Sequence, residues 1–262
     1  MRLYRRLRRI SKIVLEKLVV PNREGIEHYD KVLPPEVAND DFFDALKQLA
    51  SNPELCSILE IGSSSGEGST RALIEGVLTR NQHDHVAVYC LEISEVRFKN
   101  LRKAYSDFDF VKIFRLSSVG LDSFPSVGEL KDFYRNVPSI LNNYTFDEVV
   151  SWLKKDIEYL TVNQRDLATQ SEIGSLGGIQ YVKKVSKVSV FDLVVIDGGE
   201  FLGWAEYNQV KGSRFICLDD INSFKCRRAY DHLSSDPAYE LRAENWNVRN
   251  GWAIFERQEN HK

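Results

Sequence analysis

The chain has 262 residues, 43% hydrophobic and 28% charged, which suffices for one α/β domain with insertions and does not require a second. A formal net charge of -3 excludes the global basic field that gathers nucleic acid, so no nucleic-acid partner is expected. No apolar run reaches the ~18 residues that span a bilayer, and the four cysteines, Cys56, Cys90, Cys217 and Cys226, form no CxxC pair and read as reduced thiols of a cytoplasmic protein.

Residues 1–20 break this evenness. Arg2, Arg5, Arg6, Arg8, Arg9, Lys12 and Lys17 alternate with Leu3, Leu7, Ile10, Val14 and Leu18, whose spacing puts an apolar stripe on one helical face. Charges interrupt every candidate apolar core, so the segment is not a secretory signal. A basic amphipathic helix can lie on an anionic membrane surface, or dock on its own domain or a partner; both readings stay open. Pro21, Pro34 and Pro35 punctuate the next stretch of chain, so residues 1–38 read as helix and linker and 39–262 as the domain.

Asn39 or Asp40 can cap a helix with Phe42, Phe43, Leu46 and Leu49 inward. Alternation then begins. Ser57 to Ile61 is a short apolar strand ending in a Gly/Ser turn, and a helix runs from Ser69 to Leu78. Val86 to Glu92 is the second strand, with Ser94 as the next cap, and Phe110 to Phe114 is the third. Phe191 to Asp197 and Ser213 to Asp220 are the fourth and fifth, and YELRAE and GWAIFER close the chain as a β-hairpin with Asn250-Gly251 at its turn. Strands separated by helical patterns predict a parallel sheet with helices on both faces. The interval 120–190 is too long for a simple crossover. It holds an amphipathic helix in TFDEVVSWLKKDIEYL and a glycine-rich loop in SEIGSLGG. It leaves the carboxyl end of strand three, where ligands bind in such sheets, and so can form a lid or substrate wall, or serve a homo-oligomer.

The most informative segment is Glu60-Ile61-Gly62-Ser63-Ser64-Ser65-Gly66-Glu67-Gly68-Ser69-Thr70, a strand, a glycine turn and a helix start. Its spacing, G-x-x-x-G-x-G, differs from the G-x-G-x-x-G of NAD sites. With an acid two residues before the first glycine, it resembles the first motif of the class I S-adenosylmethionine-dependent methyltransferases. Glu92, ending strand two, can accept both hydroxyls of a ribose, as in NAD enzymes and methyltransferases alike. The resemblance implies an α/β, Rossmann-like seven-stranded sheet with a C-terminal hairpin, carrying a helical insertion between strands three and four. It places S-adenosyl-L-methionine on Glu60, Gly62, Ser63, Gly66 and Ser69, with its ribose on Glu92 and its adenine beside Ser117 and Ser118.

Asp197 ends strand four, and Asp219 and Asp220 end strand five, so the three carboxylates converge on one rim. Such a cluster repels itself unless a cation or protons intervene, and hard oxygen ligands suit Mg²⁺, Mn²⁺ or Ca²⁺. The pattern resembles the metal-dependent O-methyltransferases of the catechol and macrocin types, which implies a divalent cation on Asp197, Asp219 and Asp220. It also departs from them: Glu200 stands where the catechol type has a lysine base, and Gly199 where the sugar-modifying type often has a second acid. Asp197 and Glu200 are therefore the candidate catalytic groups, and His232 is a second choice of base. His83 and His85 read as solvated. The implied activity is methylation of a small-molecule or glycan hydroxyl. Its rivals are metal-independent methylation of nitrogen or carbon, a non-catalytic binding protein of the same fold, and an NAD-linked oxidoreductase, which the glycine spacing and the hairpin disfavour.

Overall fold

The computed structural model describes residues 30–32, 34–82, 85–168 and 177–258. The basic segment 1–20, His83 and most of the glycine-rich loop lie outside the described residues. Helix α1 (Asp41–Ala50) begins where Asp40 accepts a hydrogen bond from the Phe43 backbone at 2.9 Å. Its inner face buries Phe42, Phe43, Leu46 and Ala50. Next come strand β1 (Ser57–Ile61), helix α2 (Ser69–Leu78), strand β2 (Ala87–Leu91), helix α3 (Glu95–Ala104, capped by Ser94) and strand β3 (Val111–Phe114). α1 lies against α2 closely because Gly76 has no side chain: a Cβ there would stand 2.3 Å from the Lys47 carbonyl oxygen.

The second half adds helices α4 (Val127–Asn136), α5 (Phe146–Ala168) and α6 (Gly178–Ser186) before strand β4 (Leu193–Ile196). Helix α7 (Gly203–Val210), strand β5 (Phe215–Asp219), helix α8 (Arg227–Ser235) and the hairpin β6 (Tyr239–Asn245) and β7 (Trp252–Arg257) complete it. The seven strands run in the order β3-β2-β1-β4-β5-β7-β6, the first five parallel and β7 antiparallel to both its neighbours.

Alternate strand residues feed opposite faces. Ile58 joins a cluster with Phe42, Leu73 and Leu101, whereas Leu59 and Ile61 join one with Ile179, Tyr207 and Leu233. β1 and β4 are adjacent while the chain winds away from them in opposite directions, so the crevice at their carboxyl ends is the switch point where such sheets bind ligands.

The insertion resolves into two parts. α6 is the crossover helix proper: its start is pinned by a 2.7 Å bond from the Gly178 backbone N–H to the Ser117 carbonyl, and Ile179 and Val182 are buried against the sheet. α4 and α5 form a cap with its own cluster of Leu130, Leu141, Val149, Leu153 and Phe201. The cap seats on the loops after β4 and β5, where the Phe224 ring lies 4.9 Å from that of Phe133 and 5.9 Å from that of Phe201. The long interval thus includes a wall over the sheet's carboxyl edge.

Candidate active site

A cavity of about 440 Å³ opens at the β1/β4 switch point, within the size range of small-molecule sites. Its floor is the β1–α2 loop. Gly62 has φ +86°, and a Cβ there would stand 2.0 Å from the Asp197 carbonyl oxygen, so only glycine lets the ends of β1 and β4 approach this closely. Gly62, Ser63, Ser64, Ser65, Gly68 and Ser69 line the cavity. The Ser65 hydroxyl is buried without a hydrogen-bond partner in the protein, and that of Ser63 is buried beside Glu60 and Cys90. α2 starts at Gly68 with no side-chain cap and no acid in its first turn, so its free N–H groups and positive dipole end face the same space.

Two residues expected to touch a donor do not lie on this wall. Glu60 is fully buried beneath the loop, where it accepts the Thr70 hydroxyl at 2.6 Å and burial pushes its carboxyl up. Gly66 turns back toward α3, its carbonyl accepting the Tyr105 hydroxyl at 2.5 Å. Both shape the loop from behind. Their spacing marks the motif but does not tell which side of the turn each residue faces.

Glu92 lies just past β2, buried, and lines the cavity. One carboxylate oxygen accepts the Ser94 backbone N–H at 2.7 Å, and the Ser64 and Ile93 backbone N–H groups also bond the carboxylate, which fixes the side chain. Burial raises its pKa, opposed by those bonds. Ser117 and Ser118 also line the cavity, but their hydroxyls are committed elsewhere: Ser117 donates to the Val119 carbonyl at 2.8 Å, and Ser118 to the buried Glu206 at 2.5 Å. The roof combines Pro34 to Val37 with Asp156, Tyr159 and Leu160 of α5. Asp30 ties these parts together by accepting the hydroxyls of Ser94 at 2.7 Å and Tyr159 at 2.9 Å.

The acidic rim assembles as the sequence predicts, with one oxygen each of Asp197, Asp219 and Asp220 within 4.8 Å of one another. Sequence reasoning missed what holds them. The Lys225 ammonium, on a side chain only 7% exposed, donates to Asp197 at 2.8 Å and lies 2.6 Å from Asp220 and 3.9 Å from Asp219. Arg249 forks between Asp219 and Asp40, the latter at 3.0 Å. Burial pushes Asp220 up, but the neighbouring ammonium outweighs it and holds the carboxyl below its ordinary value. Burial likewise depresses Lys225, and the three carboxylates more than reverse this, keeping it charged. Glu200 lines the same chamber and accepts the Phe224 backbone N–H at 3.0 Å; burial raises its carboxyl to about 7 against the pull of Lys225. His232 does not line the cavity; its Nδ1 pairs with the Tyr207 hydroxyl at 3.0 Å. His85 is exposed.

No family model and no curated protein matches this chain. Solved structures do. The O-methyltransferase from Bacillus cereus, solved in complex with SAH, superposes with a TM-score of 0.52 at 16% identity, covering 95% of this chain and 97% of that one. A cofactor-bound protein from MTB gives a TM-score of 0.50 at 15% identity, covering 96% and 97%. The chain has the class I methyltransferase fold. At these identities the likeness extends to the fold alone.

Proposed function

We propose that this protein is an S-adenosylmethionine-dependent methyltransferase acting on a hydroxyl oxygen of a small-molecule or sugar acceptor. The observation that carries the reading is the convergence, in one cavity, of the glycine-serine loop after β1, the uncapped start of α2 and Glu92 with a carboxyl at Glu200 that burial raises to about 7. These groups fit the donor's parts. The loop and helix start suit a methionine carboxylate, and the Glu92 carboxylate at the cavity wall suits ribose hydroxyls. The cavity wall at Leu116, Ser117 and Ser118 suits the adenine.

When bound, S-adenosylmethionine supplies a methyl carbon made electrophilic by sulfonium sulfur. The residues do the rest. The floor and the α5 wall hold donor and acceptor in line and exclude water. Glu200, divided between acid and base forms near neutrality, takes the hydroxyl proton. The acceptor oxygen gains the carbon bond, and the carbon–sulfur bond breaks with its electron pair on sulfur. The family resemblance also implies a divalent cation at Asp197, Asp219 and Asp220. That donor set does not fit one as it stands, because Lys225 already occupies the space between Asp197 and Asp220 and Arg249 is paired with Asp219. No step is routed through a metal.

The test incubates the protein with S-adenosylmethionine and a panel of hydroxyl-bearing small molecules and sugars, reading S-adenosylhomocysteine by mass spectrometry. Acceptor-dependent release should rise with pH through about 7 and fall by roughly 10²–10⁴ in Glu200→Gln. Turnover confined to amines would contradict the oxygen assignment, and an undiminished Glu200→Gln would place the base elsewhere.

A further inference from the structure

Lys225 is an unusual residue to find where it is. A buried lysine ordinarily loses its charge, because an ammonium removed from water costs several kcal/mol. Here it is surrounded by three carboxylates, at 2.6, 2.8 and 3.9 Å, which offset that cost. Its backbone is fixed as well. The Lys225 carbonyl packs so closely on α7 that a Cβ at Gly203 would stand 1.9 Å from it, and the Lys225 N–H donates to the Ser223 hydroxyl at 3.1 Å. The side chain is therefore built into the rim rather than swung into it.

Charge counting leads to the same place. Lys225 and Arg249 already supply two positive charges within hydrogen-bonding range of Asp197, Asp219 and Asp220. A divalent cation placed among the same oxygens would add two more charges beside a fixed ammonium. At such separations and in so buried a site the repulsion is large.

We propose that Lys225 is the resident cation of this rim and that it takes the place of a divalent metal, so that the protein holds its acidic cluster together without one. The inference deepens the methyltransferase reading and rests on it for the meaning of the rim. Lys225 acts as a positioning residue: it holds the Asp197 carboxylate at the edge of the chamber, and removing it turns the rim into a vacant set of hard oxygen ligands.

The experiment is a Mn²⁺ titration of the full-length protein followed by electron paramagnetic resonance, with Mn²⁺-dependent melting temperature as a second readout. Wild type should bind no Mn²⁺ at the rim up to about 1 mM, a concentration that fills only weak sites. Lys225→Ala should gain one equivalent, on the order of 100-fold tighter than any wild-type binding, and should melt higher with Mn²⁺ than without. One equivalent bound by wild type and lost in Asp197→Asn would overturn the proposal, and this arm decides the matter even if Lys225→Ala does not fold. A folded Lys225→Ala that gains no Mn²⁺ would also overturn it, since Lys225 would then not be what occupies a metal's place. S-adenosylhomocysteine calorimetry on the same samples reports the methyltransferase reading separately, so either can fail alone.

Discussion

Replacing Glu92 isolates the contact that places a nucleoside in this cavity. Glu92 is 6% exposed and its carboxylate is already fixed by the Ser94 backbone N–H at 2.7 Å, so it loses little freedom when a ligand arrives. Hydrogen bonds to a charged acceptor contribute about 1.5–3 kcal/mol net. Glu92→Ala should therefore raise the Kd for S-adenosylhomocysteine by roughly 10- to 150-fold, at 1.4 kcal/mol per decade. Glu92→Gln keeps the size and one acceptor oxygen and should fall between the two. Alanine also frees the Ser94 N–H, so each variant needs a melting curve to confirm that the β2–α3 turn is intact. Isothermal calorimetry near pH 7.5 reads the affinities. Because burial raises the Glu92 pKa and the ionised form is the better acceptor, wild-type affinity should weaken as pH falls toward the carboxylate range, and Glu92→Ala should not show this loss. A folded Glu92→Ala that binds within threefold of wild type would refute the reasoning.

Two more outcomes concern groups that the chemistry does not use. Burial raises the Glu206 carboxyl to about 7, opposed by the Ser118 hydroxyl. The folded protein holds that proton more tightly than the unfolded chain, so this stabilisation is full below the ordinary carboxylate range and is lost as pH rises through about 7. Between about pH 5 and about pH 8.5, urea denaturation should show wild type losing roughly 2–3 kcal/mol relative to Glu206→Gln; parallel curves would refute it. Deleting residues 1–20 should leave S-adenosylhomocysteine affinity unchanged and abolish any salt-sensitive binding to anionic vesicles, read by co-sedimentation. No vesicle binding by the full-length chain would leave docking as the role of that segment.

The sheet was legible because buried parallel strands write themselves as short apolar runs. Ser57 to Ile61 and Phe191 to Asp197 announce both a strand and the polar residue at its end, and each predicted strand is found to within two residues of its limits. Glu92 was legible for the same reason. What was hidden depends on contacts that sequence spacing does not record. Lys225 is a single lysine in a loop five residues beyond Asp220, with nothing to distinguish it from a solvated one until the fold brings it among the carboxylates. Glu206 sits in α7 like any helical glutamate, yet it points inward against Ser118. Within the long insertion, α4 and α6 were not resolved as separate elements: the chain there shows amphipathic pattern without revealing that α6 is the crossover and α4 part of a cap. The spacing that singled out Glu60 and Gly66 for the donor does not record that neither lines the cavity, Glu60 turning to Thr70 and Gly66 to Tyr105.

The central claim, that the crevice at the ends of β1, β2 and β4 is built for S-adenosylmethionine, is tested most directly by calorimetry of the wild-type protein against S-adenosylhomocysteine and NAD. The account predicts one site for the homocysteine product in the low micromolar range, roughly 8 kcal/mol of free energy, and no measurable heat with NAD. Saturable binding of NAD with no affinity for S-adenosylhomocysteine would contradict it.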